Sequence, residues 1–397
     1  MQNQFKSLDQ FLTQQQPYWR FEAFFSCLDT LLPWTQTNPQ LCDWLESLSP
    51  QQIECYKQDN ASLIADLTPY LSCLEQVEQW TGLAFLEKQG LTLARGVDNG
   101  VPGRKLEQIV SMGEAALRDH HGTEWLEWCS GKGFLGRILA SQTQHKVTSF
   151  EFQQMLCDSG QLEADKQSLP MEFVQGDAFS AEAENVFNQQ QHAVALHACG
   201  DLHVSLLNHA TTKQLPAITF SPCCYHLVEG DAYQALSAIG RASQLELTKA
   251  ELRIPLQETV TGGERVKRHR IEEMSYRLGF DLLLRTELGF DAYQPVPSIK
   301  KSLLADGFKV FCQWACVQKN LQLPEVDFDH YHQLGLQRYW QMERISLVQQ
   351  PFRRCLEMWL VLDKALFLAE NGYQVEISQF CSRAMTPRNI LIHAVKV

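Results

Sequence analysis

No stretch of 18 consecutive apolar residues occurs in the 397-residue chain, so no conventional membrane-spanning helix is expected. The opening residues, Met1-Gln2-Asn3-Gln4-Phe5-Lys6-Ser7, lack the basic-then-apolar order of a secretory signal. A soluble, cytoplasmic protein with no membrane role is the resulting expectation. Positive charge is also scarce: 34 Lys and Arg stand against 46 Asp and Glu, a formal net charge of −12, so the surface is not basic throughout. Paired CxxC spacing is missing, and without an export signal the 13 cysteines are expected to be mostly reduced core thiols rather than a disulfide framework.

What the chain does have is a short apolar strand that runs into a glycine turn and then a helix: Trp125-Leu126-Glu127-Trp128-Cys129-Ser130-Gly131-Lys132-Gly133-Phe134-Leu135-Gly136-Arg137. Gly131 and Gly133 can take positive φ and let backbone N–H groups approach a nucleotide-like ligand. Glu127 falls at the carboxyl end of the strand, where open α/β sheets bind ligands. Glu151 closes the next apolar run, about where an acid reaches the hydroxyls of a ribose. Further runs end at Asp177, followed by Ala178, at Asp201 after Val194-Ala195-Leu196-His197-Ala198-Cys199-Gly200, and at Cys223-Cys224-Tyr225-His226.

Strand centres near residues 127, 149, 174, 196 and 219 are 22, 25, 22 and 23 residues apart, which suits strand-helix-strand units with short loops. Leu135, Ile138 and Leu139 recur at helical spacing after the glycine turn, as do Leu202, Leu206, Leu207 and Ala210 after Asp201. Right-handed crossovers then give a five-stranded parallel sheet in an α/β fold, with a ligand crevice at one edge and these acids along it. At the other end of the chain, residues 352–371 read as a helix closed by Asn371-Gly372. Two strands follow, Tyr373–Ile377 and Ile390–Val395, around a Pro387-Arg388-Asn389 turn.

These motifs resemble class I S-adenosylmethionine-dependent methyltransferases, whose Rossmann-like sheet ends in such a helix and an antiparallel hairpin. The pair His197-Ala198-Cys199-Gly200-Asp201-Leu202 and Cys223-Cys224-Tyr225-His226 is similar to signatures of a family that includes methyltransferase-like proteins and the glutathione S-transferase C-terminal domain-containing protein. A related pair occurs in tRNA ribose 2′-O-methyltransferases. The resemblance covers roughly residues 104 to 226 and the C-terminal 45. It implies S-adenosylmethionine as cofactor, bound by Glu127, Cys129, Gly131, Gly133, Glu151, Asp177, Ala178 and Lys105. Glu151 takes the ribose and Asp177 the adenine amine; Cys129 stands where the family usually has its first glycine. It also accounts for the His and Cys residues without a metal, although His197, Cys199, Cys223, Cys224 and His226 could supply soft ligands for zinc. Asp201, His197 and His226 are the candidates for the methyl-transfer site, with a histidine as base or orienting group. The Asp/Asn-Pro-Pro-Tyr pattern used for exocyclic amines is absent, which tilts the acceptor away from base or glutamine amines.

Four segments are expected: a helical N-terminal domain over 1–103, the first part of the methyltransferase core over 104–226, an inserted cap or substrate region over 227–350, and the closing helix and hairpin over 351–397. Twelve acids against five bases mark the first 100 residues. Residues 241–320 carry thirteen bases and ten acids, with the run Arg265-Val266-Lys267-Arg268-His269-Arg270. Such a locally basic insertion would suit a phosphate-bearing substrate such as RNA. A helix face paired with Glu264, Glu272 and Glu273 explains the same run. Function thus reads as a methyltransferase acting on RNA, at a ribose hydroxyl or a base. The alternatives are methylation of a protein or small molecule, and a non-catalytic scaffold whose helical N-terminal region binds a protein partner.

Overall fold

A computed structural model of the chain describes residues 1–29, 31–257 and 263–397, apart from the side chains of Arg104 and His197. Five expected strands appear as β1 (Glu124–Trp128), β2 (Lys146–Glu151), β3 (Met171–Gln175), β4 (Gln191–Cys199) and β5 (Ala217–Cys223). The terminal hairpin is β6 (Tyr373–Gln379) and β7 (Ile390–Lys396). The sheet order is β3-β2-β1-β4-β5-β7-β6. β1 to β5 pair in parallel, and β7 runs antiparallel to both β5 and β6. The order reverses at β1, which lies between β2 and β4, so a ligand crevice opens beyond the carboxyl ends of these strands.

Near-continuous burial of β1, β2 and β5 follows from helices covering both faces of a parallel sheet. The helix Gly103–Arg118 packs Ile109, Met112 and Ala116 into a core that includes Trp125 of β1 and Leu135, Ile138 and Leu139 of the helix Phe134–Thr143. The expected C-terminal helix is longer than its apolar pattern suggested, running from Phe328 to Glu370 with Pro351 inside it. It stops where Gly372 takes φ +81°.

The chain divides into two compact units. The first comprises residues 1–14, 78–257 and 354–397, and the second residues 15–77 and 258–353. The N-terminal 103 residues are therefore shared between units. In the first unit Phe5 of the helix Gln2–Gln14 packs on Trp359 at 5.2 Å between ring centroids, and the Trp359 indole N–H donates to Asp9 at 2.8 Å.

The second unit is helical. Helix Pro39–Ser47 is capped by Asn38, and Pro50–Gln58 by a reciprocal Ser49–Gln52 pair. Buried Gln349 donates to the carbonyls of Trp19 and Phe21 at 2.6 and 2.9 Å. Cys312 and Cys316 lie in the apolar cluster around Tyr276, Phe280 and Phe311, as packing residues. The basic run sits on the helix Glu264–Leu288, where it is largely paired: Lys267 with Glu264 at 3.2 Å, His269 with Glu272 at 3.2 Å, and Arg270 with Glu343 at 3.5 Å. Two of the three acids expected to pair with that run, Glu264 and Glu272, do so. All 13 cysteines are free thiols. Among the described residues no helix is long and apolar enough to cross a membrane.

Candidate functional site

The glycine turn is held from below by Glu127. Its side chain is buried, accepts from the Ser149 hydroxyl at 2.8 Å, and also takes hydrogen bonds from the backbone at Gly136 and Leu135. Burial pushes this carboxyl up to about 7 against those donors. A Cβ at Gly136 would stand 2.5 Å from Glu127 Oε2, so glycine is what lets the helix start approach the acid this closely. Glu127 therefore supports the cradle from beneath.

The open face of the cradle is formed by Gly131, Gly133 and Glu151. Gly133 takes φ +68°, and a Cβ there would lie 2.4 Å from the Phe173 ring. At Gly131, φ is +60° and a Cβ would meet nothing within 4 Å, so the turn is open on this side. Glu151 accepts from the Gly131 N–H at 2.9 Å and from the Gln153 N–H at 3.0 Å, which fixes its carboxylate beside the turn. Each carboxylate oxygen keeps a lone pair for a further donor such as a ribose hydroxyl. Cys129 adopts φ +55°, a conformation costly for a residue with a Cβ, at the position where glycine is usual. Burial first, then Glu151 and Cys199, push its thiol up to about 12.

Asp177 is exposed at the end of β3 and accepts from the Phe179 N–H at 2.9 Å. Ala178 beside it is buried, and its carbonyl accepts from the Ser205 hydroxyl at 2.6 Å. Phe152 and Phe179, 64% and 63% exposed, follow the ends of β2 and β3 and offer apolar surface for a flat heterocycle. Neither was singled out from the sequence, since an isolated exposed phenylalanine has no periodic signature. Lys105 lies exposed in the first turn of the helix Gly103–Arg118.

The second half of the site gathers at the ends of β4 and β5. The backbone of His197 belongs to β4, and its side chain lies outside the described residues. Asp201 opens the helix Asp201–Lys213; its N–H donates to the Leu227 carbonyl at 2.9 Å, and its carboxylate accepts from the Glu229 N–H at 2.8 Å. It thereby latches the segment that carries His226. Burial, then Arg253, keep His226 below its ordinary pKa, and Arg388 and Lys249 act in the same direction. Among the described residues neither His226 Nδ1 nor Arg388 Nε has a hydrogen-bond partner.

The glycine turn, the Glu151 carboxylate beside it, exposed Asp177 and the flanking rings could hold a nucleoside-bearing cofactor. Residues 104–231 match the family described as a methyltransferase domain. This segment is a methyltransferase domain. Among solved structures, the tRNA (uracil-54, C5)-methyltransferase of Pyrococcus abyssi is similar at 18% identity over 29% of this chain and 28% of its own, with a TM-score of 0.25. Magnesium protoporphyrin IX methyltransferase of Synechocystis shares 9% identity over 78% of this chain and 90% of its own, at a TM-score of 0.33. TrmN of Thermus thermophilus shares 14% over 35% and 46%, at 0.27. The chain thus spans less than a third of the Pyrococcus protein's length.

Proposed function

We propose that the protein methylates RNA, with S-adenosylmethionine bound across the Gly131, Gly133, Glu151 and Asp177 cradle. The observation that carries the cofactor assignment is the Glu151 carboxylate, held by the Gly131 N–H beside the open glycine turn. When bound, the sulfonium cofactor supplies an electrophilic methyl group, so the chain has to align a nucleophile and exclude water. Asp201 acts on the acceptor side by holding the segment 224–229, and His226 or His197 accepts a proton from, or orients, a hydroxyl. The cations Lys249, Arg253 and Arg388, all acting on His226, supply positive charge next to that acceptor. In a chain of net charge −12, such a local cluster suits the phosphates of RNA. It takes over the role expected of the run 265–270, whose charges are largely engaged by acids.

Titration calorimetry with S-adenosylmethionine and S-adenosylhomocysteine tests the cofactor half. Losing a charge-assisted hydrogen bond costs about 1.5–3 kcal/mol, so Glu151→Ala and Asp177→Ala should each bind roughly 10- to 100-fold more weakly while keeping the far-ultraviolet circular dichroism of the wild type. Undiminished binding in both variants would remove the cradle assignment. Radiolabelled methyl transfer to fractionated RNA, protein and metabolites tests the acceptor half. Label in RNA that falls at least ~10-fold with Arg253→Glu supports the proposal. Label confined to protein or metabolites moves the acceptor to those classes.

A further inference from the structure

The ends of β4 and β5 bring three thiols together that lie far apart in sequence. Cys199 and Cys223 are register partners across the two parallel strands, and Cys224 follows directly. Their Sγ atoms all lie within 4.8 Å of one another, with Cys199 and Cys223 at 3.4 Å. A tetrahedral zinc ion with Zn–S bonds of ~2.3 Å needs S···S separations of about 3.8 Å, inside this range. A disulfide needs about 2.0 Å, well short of it.

The backbone is distorted at this point and not elsewhere along these two strands. The β4–β5 register shifts between Leu196 and Cys199. Cys224 takes φ +48°, which is strained for a residue with a Cβ. Gly200 takes φ +56°, donates its N–H to the Cys223 carbonyl at 3.0 Å, and leaves no room for a side chain, since a Cβ would stand 2.0 Å from the Leu227 carbonyl oxygen. Bulges and left-handed residues of this kind re-aim side chains, and here they aim three sulfurs at one point. Arg388 and His226 both lie within electrostatic reach of Cys224.

We propose that Cys199, Cys223 and Cys224 form a three-thiolate site for a soft divalent cation, zinc, with the fourth coordination position filled from outside the thiol set. The chemistry is exchange without redox: each thiol releases its proton to solvent and each sulfur donates an electron pair to the ion. Three thiolates and a divalent ion leave one net negative charge, which Arg388 is placed to offset. The ion clamps the ends of β4 and β5 at the acceptor side of the methyltransferase domain. It does so whether or not the acceptor is RNA. From the sequence these three thiols were part of a wider set with His197 and His226, and the register of β4 and β5 singles them out.

The full-length chain, purified reduced and without chelator, should contain about one zinc per molecule by mass spectrometry. After exchange it should show thiolate-to-cobalt charge-transfer absorption. Cys199→Ser and Cys224→Ser are each expected to lower zinc affinity at least ~10-fold, whereas Cys157→Ser, a buried thiol in the helix Gln154–Lys166, should leave it unchanged. Circular dichroism and cofactor binding establish that the variants are folded. Folded wild-type protein that takes up neither zinc nor cobalt, variants that keep full affinity, or a Cys199–Cys223 disulfide in protein isolated without reductant would each overturn the site.

Discussion

Asp363→Ala should destabilise the first unit by about 3–5 kcal/mol, because a buried carboxylate with this many partners cannot be deleted without leaving them uncompensated. Asp363 and Lys364 are both fully buried. The Asp363 carboxylate accepts from the Tyr233 hydroxyl at 2.7 Å, the Leu236 N–H at 2.8 Å, and the Ser237 N–H and hydroxyl at 3.0 and 2.7 Å. Lys364 donates to the Tyr233 hydroxyl at 2.9 Å and the Leu360 carbonyl at 3.1 Å, and its Nζ lies 5.5 Å from the Tyr225 ring centroid. Burial lowers Lys364 to about 8, opposed by Asp363 and Asp201. Alanine at 363 leaves two amides unpaired and removes the main counter-charge of a buried ammonium. Asparagine keeps some of the acceptors without the charge and should cost about half as much. Denaturant unfolding read together with hydrogen exchange in peptides 225–241 and 354–370 decides it. A loss under ~1 kcal/mol for Asp363→Ala would show that water replaces the lost partners. Because Lys364 sits over Tyr225, loosened exchange should extend into the Cys223-Cys224-Tyr225-His226 segment.

None of that pair was visible in the sequence, where Asp-Lys inside an apolar helix reads as one exposed turn. Five strands were legible because each apolar run ends in polar residues and alternates with a helix-period stretch. The places of Glu151 and Asp177 at strand ends were legible for the same reason. Glu127 was placed at the right end of β1, but its burial beneath Gly136 depends on packing between layers, and that left no local signal. The two-unit division was hidden too. Residues 15–77 join residues 258–353, a pairing between distant segments that composition cannot reveal. Likewise the bases at 265–270 stood out as a block, whereas Lys249, Arg253 and Arg388 meet around His226 only in three dimensions.

The same folding of distant residues builds a histidine cluster at the strand starts and across β7, and it should make the first unit acid-labile. His120 Nδ1 lies 3.1 Å from His192 Nδ1, and its Nε2 lies 3.2 Å from His145 Nδ1. The Thr219 hydroxyl joins His192 to His393 at 2.8 and 2.7 Å, and His393 reaches Asp119 at 3.3 Å. Asp119 also meets His121 at 2.9 Å, and Glu376 pairs with His393 across the β6–β7 hairpin. Burial, then His145, lower His120 to about 4; burial holds His192 well below its ordinary range, and burial lowers His393 despite Asp119. Buried His203, which contacts the Ala198 carbonyl at 3.0 Å, is lowered to about 3 by burial and by Lys364. All four are depressed in the folded state, so the unfolded chain binds more protons below its histidine pKa of about 6.5. Their stabilisation is therefore complete above that pH and is lost as pH falls from about 6.5 toward 4. Solvent screening limits half-buried His120 to about 1–2 kcal/mol over that window, and the fully buried His192 and His203 add to the loss in the same direction. His120→Phe keeps a ring to stack on Trp125, now 3.8 Å away between centroids, and removes one proton acceptor. Its cost should be greatest near neutral pH, where the histidine contacts are intact, and should shrink by ~1–2 kcal/mol at the acid end of the window. Hydrogen exchange of peptides covering β1, β4 and β5 at both ends of that window reads the difference. Parallel pH profiles for wild type and His120→Phe would show that the cluster stays hydrated enough to accept protons without strain.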